Sequence, residues 1–220
     1  MQFLIHRTSE GSTMDMVNGS QVARRIAARS IAKRESDYAD EVGRLIDAGR
    51  QVMARSGSAS RPRVADIVGA AGLSNDAFYR HFRSKDDLIA AILEDGTDRL
   101  CSYLGHQMGK AQEPRERVVR WVEGVLSQAQ TDSAQTTRAV LWNVGSVNQE
   151  VMSSPPSVNA RLAELLHEPL RELGSGDHVF DARLISNATV GALSDYLWRK
   201  ESPTARDISR IVAACLRLVD

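Results

Sequence analysis

Apolar residues recur every three or four positions along most of this 220-residue chain, the period of helices that bury one face. Val42, Leu45, Ile46, Gly49 and Met53 predict a helix over 37–56, with Ser36 or Asp37 as its cap and Gly57 as its stop. Val64, Ile67, Val68 and Ala71 predict a short second helix, with Pro62 near its start, where a missing N–H costs little. Gly72 supplies the positive φ that ends it, Leu73 covers the corner, and Ser74 caps a third helix. Phe78 and Phe82 stand four apart and point to one core, which leaves Asn75, Asp76, Tyr79, Arg80 and His81 on other faces. Ser84, with Asp87 three residues on, opens another helix in the manner of a capping box. Its apolar face is Leu88, Ile89, Ile92 and Leu93.

The rest of the chain keeps the helical period. Leu100 and Leu104 predict a connecting helix over 97–109. Pro114 opens the next helix, and Val118, Val119, Trp121, Val122, Val125 and Leu126 make it apolar on more than one side, as in a buried helix. A shorter helix is predicted over 134–143, a loop with Pro155-Pro156 over 145–157, and a helix over 158–173 that Pro169 should kink or end early. Two helices close the chain, over 181–200 and 204–219, separated by Pro203. The first 19 residues show no periodicity and are expected to lack fixed structure. Residues 20–34 are rich in Ala and Arg and favour helix, with Arg25, Arg29 and Lys33 in one stripe.

Composition is that of a globular protein, at 42% hydrophobic and 25% charged residues. There is no apolar run of about 20 residues, so no membrane span is expected. Phe3-Leu4-Ile5 is too short for the core of a signal peptide. Cys101 and Cys215 lie far apart with no metal-ligand spacing, which reads as two thiols in a reduced, cytoplasmic protein. Lys and Arg total 28, as do Asp and Glu, an even balance that argues against a nonspecific coat on nucleic acid but allows a local basic patch. Residues 1–36 hold six basic against three acidic side chains. No Gly-x-Ser-x-Gly turn, P-loop or His-Glu-x-x-His pattern is present, and the five histidines form no i, i+4 pair. No catalytic residue, metal site or cofactor is therefore expected, and the chain is not read as an enzyme. Met108, Trp121, Trp142, Met152 and Tyr196 are candidates for a pocket between the middle helices, with ordinary core packing as the competing reading. Such a lining would take an apolar or amphipathic small molecule.

A two-turn helix with an exposed polar face, braced by a crossing helix, is the plan of a DNA-reading helix-turn-helix. Lys85 sits in the first turn of its helix, where the dipole disfavours a cation; a DNA phosphate there would relieve the conflict, and a merely solvated lysine is the alternative. Gly72-Leu73-Ser74, Phe78-Tyr79-Arg80-His81-Phe82 and Ser84-Lys85-Asp86-Asp87-Leu88 together resemble the signature of the tetracycline-repressor (TetR) family of bacterial transcription regulators, over about 60 residues from Asp37 to Gly96.

The resemblance implies an all-α fold with three parts. These are a flexible basic extension (1–36), a three-helix helix-turn-helix DNA-binding domain (37–96), and a helical ligand-binding and dimerisation domain (97–220). It implies that Tyr79, His81 and Lys85 touch phosphates, which fixes register without choosing sequence. It places Asn75, Asp76 and Ala77 toward base edges, where Asn can pair with adenine, a carboxylate can accept from cytosine, and a methyl can meet thymine. Ser74 and Arg80 complete this set. Arg63 replaces the family's usual capping Thr, and Asp76 a usual small residue, so a negative charge faces the DNA. The basic extension is similar to arms that reach a neighbouring minor groove, with a solvated arm as the alternative. The last two helices would form a four-helix bundle across a twofold axis, or else the core of a monomer. The expected partners are double-stranded operator DNA, a small-molecule effector and a second copy of the chain. The expected function is a repressor released from its operator by that effector. The rival reading is a helical sensor or interaction protein with weak or lost DNA binding, for which Asp76 is the motive.

Overall fold

A computed structural model of the chain describes residues 11–57, 61–145 and 158–219. All of its described elements are helical, as the periodicity requires. They are α1 (Gly11–Ser56), α2 (Val64–Ala71), α3 (Asn75–His81), α4 (Lys85–Met108), α5 (Pro114–Leu126), α6 (Thr131–Val144), α7 (Val158–Glu164), α8 (His167–Glu172), α9 (His178–Arg199) and α10 (Ala205–Leu216). A single 3-10 turn, Ser127–Ala129, joins α5 to α6.

The chain divides into two compact units, residues 1–44 and 45–220. In the first, α1 begins at Gly11, although the sequence pattern starts its helix at 37 and predicts no fixed structure before residue 20. Neither Ser36 nor Asp37 is a cap. No Gly or Pro interrupts residues 20–42, and the Ala- and Arg-rich run carries the helix through without a start signal. Residues 21–40 are exposed throughout, Ile26 and Ile31 included. Phe3-Leu4-Ile5 and Met152 lie outside the described residues.

The second unit contains two packed regions. Near its start, Leu45 and Met53 of α1, Ile67 of α2, Phe78 of α3 and Leu88, Ile89 and Ile92 of α4 are all buried. At Gly49 an added Cβ would come within 2.7 Å of Ile92 Cδ1, so α1 and α4 lie this close because residue 49 has no side chain. The larger core surrounds Trp121 and draws Leu104 and Met108 from α4, Val118, Val122 and Val125 from α5, Leu162 from α7, Leu170 from α8, Ile185 and Leu193 from α9, and Leu216 from α10.

Local chemistry explains the ends that differ from expectation. The helix predicted over 158–173 is two helices, broken between Glu164 and His167. Pro169 clashes with the carbonyl four residues back, at Leu165, so the break falls ahead of the proline. At α9 the Asp177 carboxylate accepts from the Phe180 N–H at 3.0 Å, which starts the helix at His178. Thr204 and Asp207 form a full capping box at α10.

Candidate nucleic-acid interface and ligand cavity

The corner of the helix-turn-helix is built as the sequence implies. Gly72 takes φ 65° and ψ 35°, and the Leu73 N–H donates to the Val68 carbonyl at 2.9 Å, which closes the end of α2. Ser74 Oγ accepts from the Ala77 N–H at 3.1 Å and so starts α3. Ser84 Oγ likewise accepts from the Asp87 N–H, whereas the Asp87 carboxylate accepts from the Arg83 N–H rather than returning to Ser84. An added Cβ on Gly72 would meet nothing within 4 Å, so Gly72→Ala tests the backbone alone. It is expected to cost about 1–2 kcal/mol of left-handed strain. The melting temperature should then fall by about 2–8 °C, read by calorimetry. Gly69→Ala, in the interior of α2 with equal room, should not lower it.

This frame fixes which side chains α3 presents. Asn75, Asp76, Tyr79 and Arg80 are exposed, His81 is half-buried, and Lys85 is half-buried at the first position of α4. Ala77 departs from the expectation. It is 3% exposed, beside Phe78 in the interior, so its methyl does not reach a base. The Tyr79 ring meets Phe78 edge-on at 5.2 Å between centroids, which steadies an otherwise exposed phenol. Ser74 is exposed but its oxygen already serves as the cap. Arg63 precedes α2 without a side-chain cap bond, and its Nε donates to Asp66 at 3.1 Å. Asp76 lies in the first turn of α3, where its charge complements the helix dipole. Arg83, exposed between α3 and α4, is a further cation that the sequence pattern does not single out; its only signal is its place between Phe82 and Ser84.

A cavity of about 550 Å³ lies within this unit, in the usual size range of a small-molecule site. Its walls come from α4 (Ile92 to Tyr103), the 3-10 turn (Gln128), α6 (Ser133 to Leu141), α7 (Val158, Leu162) and α9 (Val190 to Ser194), with Arg50 of α1 at one side. The four sequence candidates within the described residues lie elsewhere. Trp121 is wholly buried, and its Nε1 donates to the Leu162 carbonyl at 3.1 Å. Met108 belongs to the same core. Trp142 is half exposed and meets Trp198 at 6.0 Å between centroids, beside a smaller cleft that Arg61 also lines. Tyr196 turns to α10, where its hydroxyl bonds Asp207; burial is the main cause that raises the phenol above its ordinary range.

Burial pushes both thiols up, so Cys101 and Cys215 stay protonated at neutral pH, although Arg161 works against this at Cys101. Among the described residues, no group of three His, Cys, Asp or Glu side chains is placed to hold a metal, and no helix is long and apolar enough to cross a membrane.

A capped helical corner, a short helix with an exposed polar face and a brace from α1 define a helix-turn-helix protein. Residues 45–92, from the end of α1 through α2 and α3 into α4, match the family described as bacterial regulatory proteins, tetR family, so this segment is similar to that family's helix-turn-helix part. Solved structures share the fold. A Rhodococcus sp. protein described as a TetR-family transcriptional regulator superposes with a TM-score of 0.66 at 19% identity, covering 82% of this chain and 99% of its own. Reduced NemR of E. coli gives 0.63 at 18% identity, over 82% and 98%. RolR bound to its ligand resorcinol gives 0.55 at 18%, over 83% and 89%. Comparison with curated proteins gives no match.

Proposed function

We propose that the chain is a homodimeric repressor that leaves its operator when a small molecule fills the 550 Å³ cavity. One observation supports this above others. α4 carries Lys85 at its start, four residues past the end of α3, and then supplies cavity wall from Ile92 to Tyr103. A ligand that moves this helix moves the reading head, which shifts the population between two dimer geometries. RolR, a structural neighbour crystallised with resorcinol, supports a small-molecule effector. In this reading the division between DNA-binding and ligand-binding parts falls within α4, near Gly96, and residues 1–36 form a basic extension.

Tyr79, His81, Lys85, Arg80, Arg83 and Arg63 then serve the phosphates, and Asn75 serves a base. Anisotropy titrations against the DNA upstream of the gene, at two salt concentrations with a random duplex as control, test the reading. Specific binding at two subunits per site, or a multiple of two, is expected. Lys85→Ala should weaken binding to every duplex and lower the salt slope by about one ion. Asn75→Ala should change the preference at one base pair by about 1–3 kcal/mol. Equal effects of both variants on all sequences would sink the assignment. Asp76 supports the rival reading of a sensor with weakened DNA binding, and Asp76→Gly would favour it by greatly tightening binding.

A further inference from the structure

The cavity wall is mostly apolar, from Ile92, Leu93, Leu100, Val140, Leu141 and Leu193, yet two arginines stand in it. Arg50 comes from α1 and Arg99 from α4. Both belong to one ion network: Arg50 donates to Asp95 at 3.1 Å and pairs with Asp47, while Arg99 reaches Asp95 at 3.0 Å and Asp47 at 3.6 Å. Two cations and two carboxylates thus tie α1 to α4 at the edge of an apolar cavity. We propose that this cavity takes an amphipathic anion, an apolar body carrying a carboxylate, sulfonate or phosphate that Arg50 and Arg99 hold. The proposal rests on the reading of the cavity as the effector site and names the effector's chemical class.

Three features carry it. Both guanidinium groups line the cavity and keep exposed surface, 23% at Arg50 and 58% at Arg99, so an acid group on a ligand can reach them. A guanidinium has five N–H donors in a planar fork, suited to bridging a third acid group. Asp47 is the exchangeable partner. Its side chain is 52% exposed, so it passes to solvent at little loss when another anion takes its place. Asp95, at 28% exposure, stays with both arginines. The exchange also acts on the fold. Asp47 and Arg50 sit on the helix that braces the reading head, and Asp95 and Arg99 on the helix that leaves it, so a bound acid group rewrites the tie between them.

Anilinonaphthalene sulfonate and its uncharged parent, N-phenylnaphthylamine, differ by one sulfonate and both brighten on leaving water. Titrated into the full chain, the sulfonate is expected to bind about tenfold or more tighter than the parent. Arg50→Gln should remove this difference while the parent binds as before. Arg99→Gln, at a more exposed position, is the second variant should the first fail to fold. Thr137→Trp fills the cavity and should abolish binding of both dyes. If the parent binds as tightly as the sulfonate, or the arginine variants bind the sulfonate unchanged, the anion proposal is overturned and the cavity reading stands. Absence of binding by either dye, or indifference of both to Thr137→Trp, overturns the cavity reading and the proposal with it.

Discussion

If the proposed homodimer packs through α9, Leu184→Glu is expected to split it and weaken operator binding by about three orders of magnitude or more. Along α9, Phe180, Leu184, Ala188, Gly191, Asp195 and Trp198 fall three and four apart on one face, and all are exposed. Phe180 at 58% and Leu184 at 41% are large apolar side chains left in water by their own chain. Ala213 and Ala214 of α10 are also exposed, small enough for another helix to come near. A carboxylate at 184 costs the monomer about 0.5 kcal/mol or less, because the position lies on the exposed face of α9. In a helix-to-helix interface it is a buried, unpaired charge. Operator proteins of this class bind with about 10⁻⁸–10⁻¹¹ M affinity through two half-sites about 34 Å apart. One head alone keeps about half the free energy, which is the range of nonspecific binding. Sedimentation equilibrium reads the mass, and anisotropy on the operator reads the affinity. Gly191→Leu sharpens the test. A Cβ there meets nothing within 4 Å in its own chain, so loss of the dimer in that variant reports a partner. A variant that remains a dimer with unchanged operator affinity places the twofold axis elsewhere.

The features legible in the sequence are those set by neighbours within a few residues. Gly72 and Ser74 fix the corner through bonds to Val68 and Ala77, and the i, i+4 pair Phe78 and Phe82 fixes the buried side. Ala77 marks the limit of this reasoning. It stands about 100° round the helix from Phe78 and four residues before half-buried His81, so the buried arc is wider than two phenylalanines suggest. The start of α1 is not legible, because residues 11–19 show no apolar period from which to read a helix. Nor is the cavity. Its wall joins residues from Arg50 to Ser194 across four helices and α1, and periodicity shows which face of a helix is apolar but not what that face meets. Trp121 and Leu141 have the same local signature, yet one is sealed in the core and the other lines the cavity.

Trp121 therefore separates core from cavity by experiment. α7 ends at Glu164, so the Leu162 carbonyl lies in its last turn, where helix carbonyls lack partners of their own. The indole N–H of Trp121 supplies one at 3.1 Å, and the ring fills the space between α5 and α7 with no exposed surface. Trp121→Phe keeps most of the ring and orphans the carbonyl, an expected loss of about 1–3 kcal/mol. Trp121→Ala adds a cavity worth about 3–5 kcal/mol. Together these approach the whole stability of a domain, about 5–15 kcal/mol, so the alanine variant is expected to melt about 10–20 °C lower or not to fold. The phenylalanine variant decides the residue's role. With Trp121 in the core, its melting temperature falls while the affinity for the naphthylamine dyes, measured well below that temperature, stays at the wild-type value. Had Trp121 lined the effector site, the dye affinity would change and the melting temperature would hold, the opposite pattern in the same two measurements.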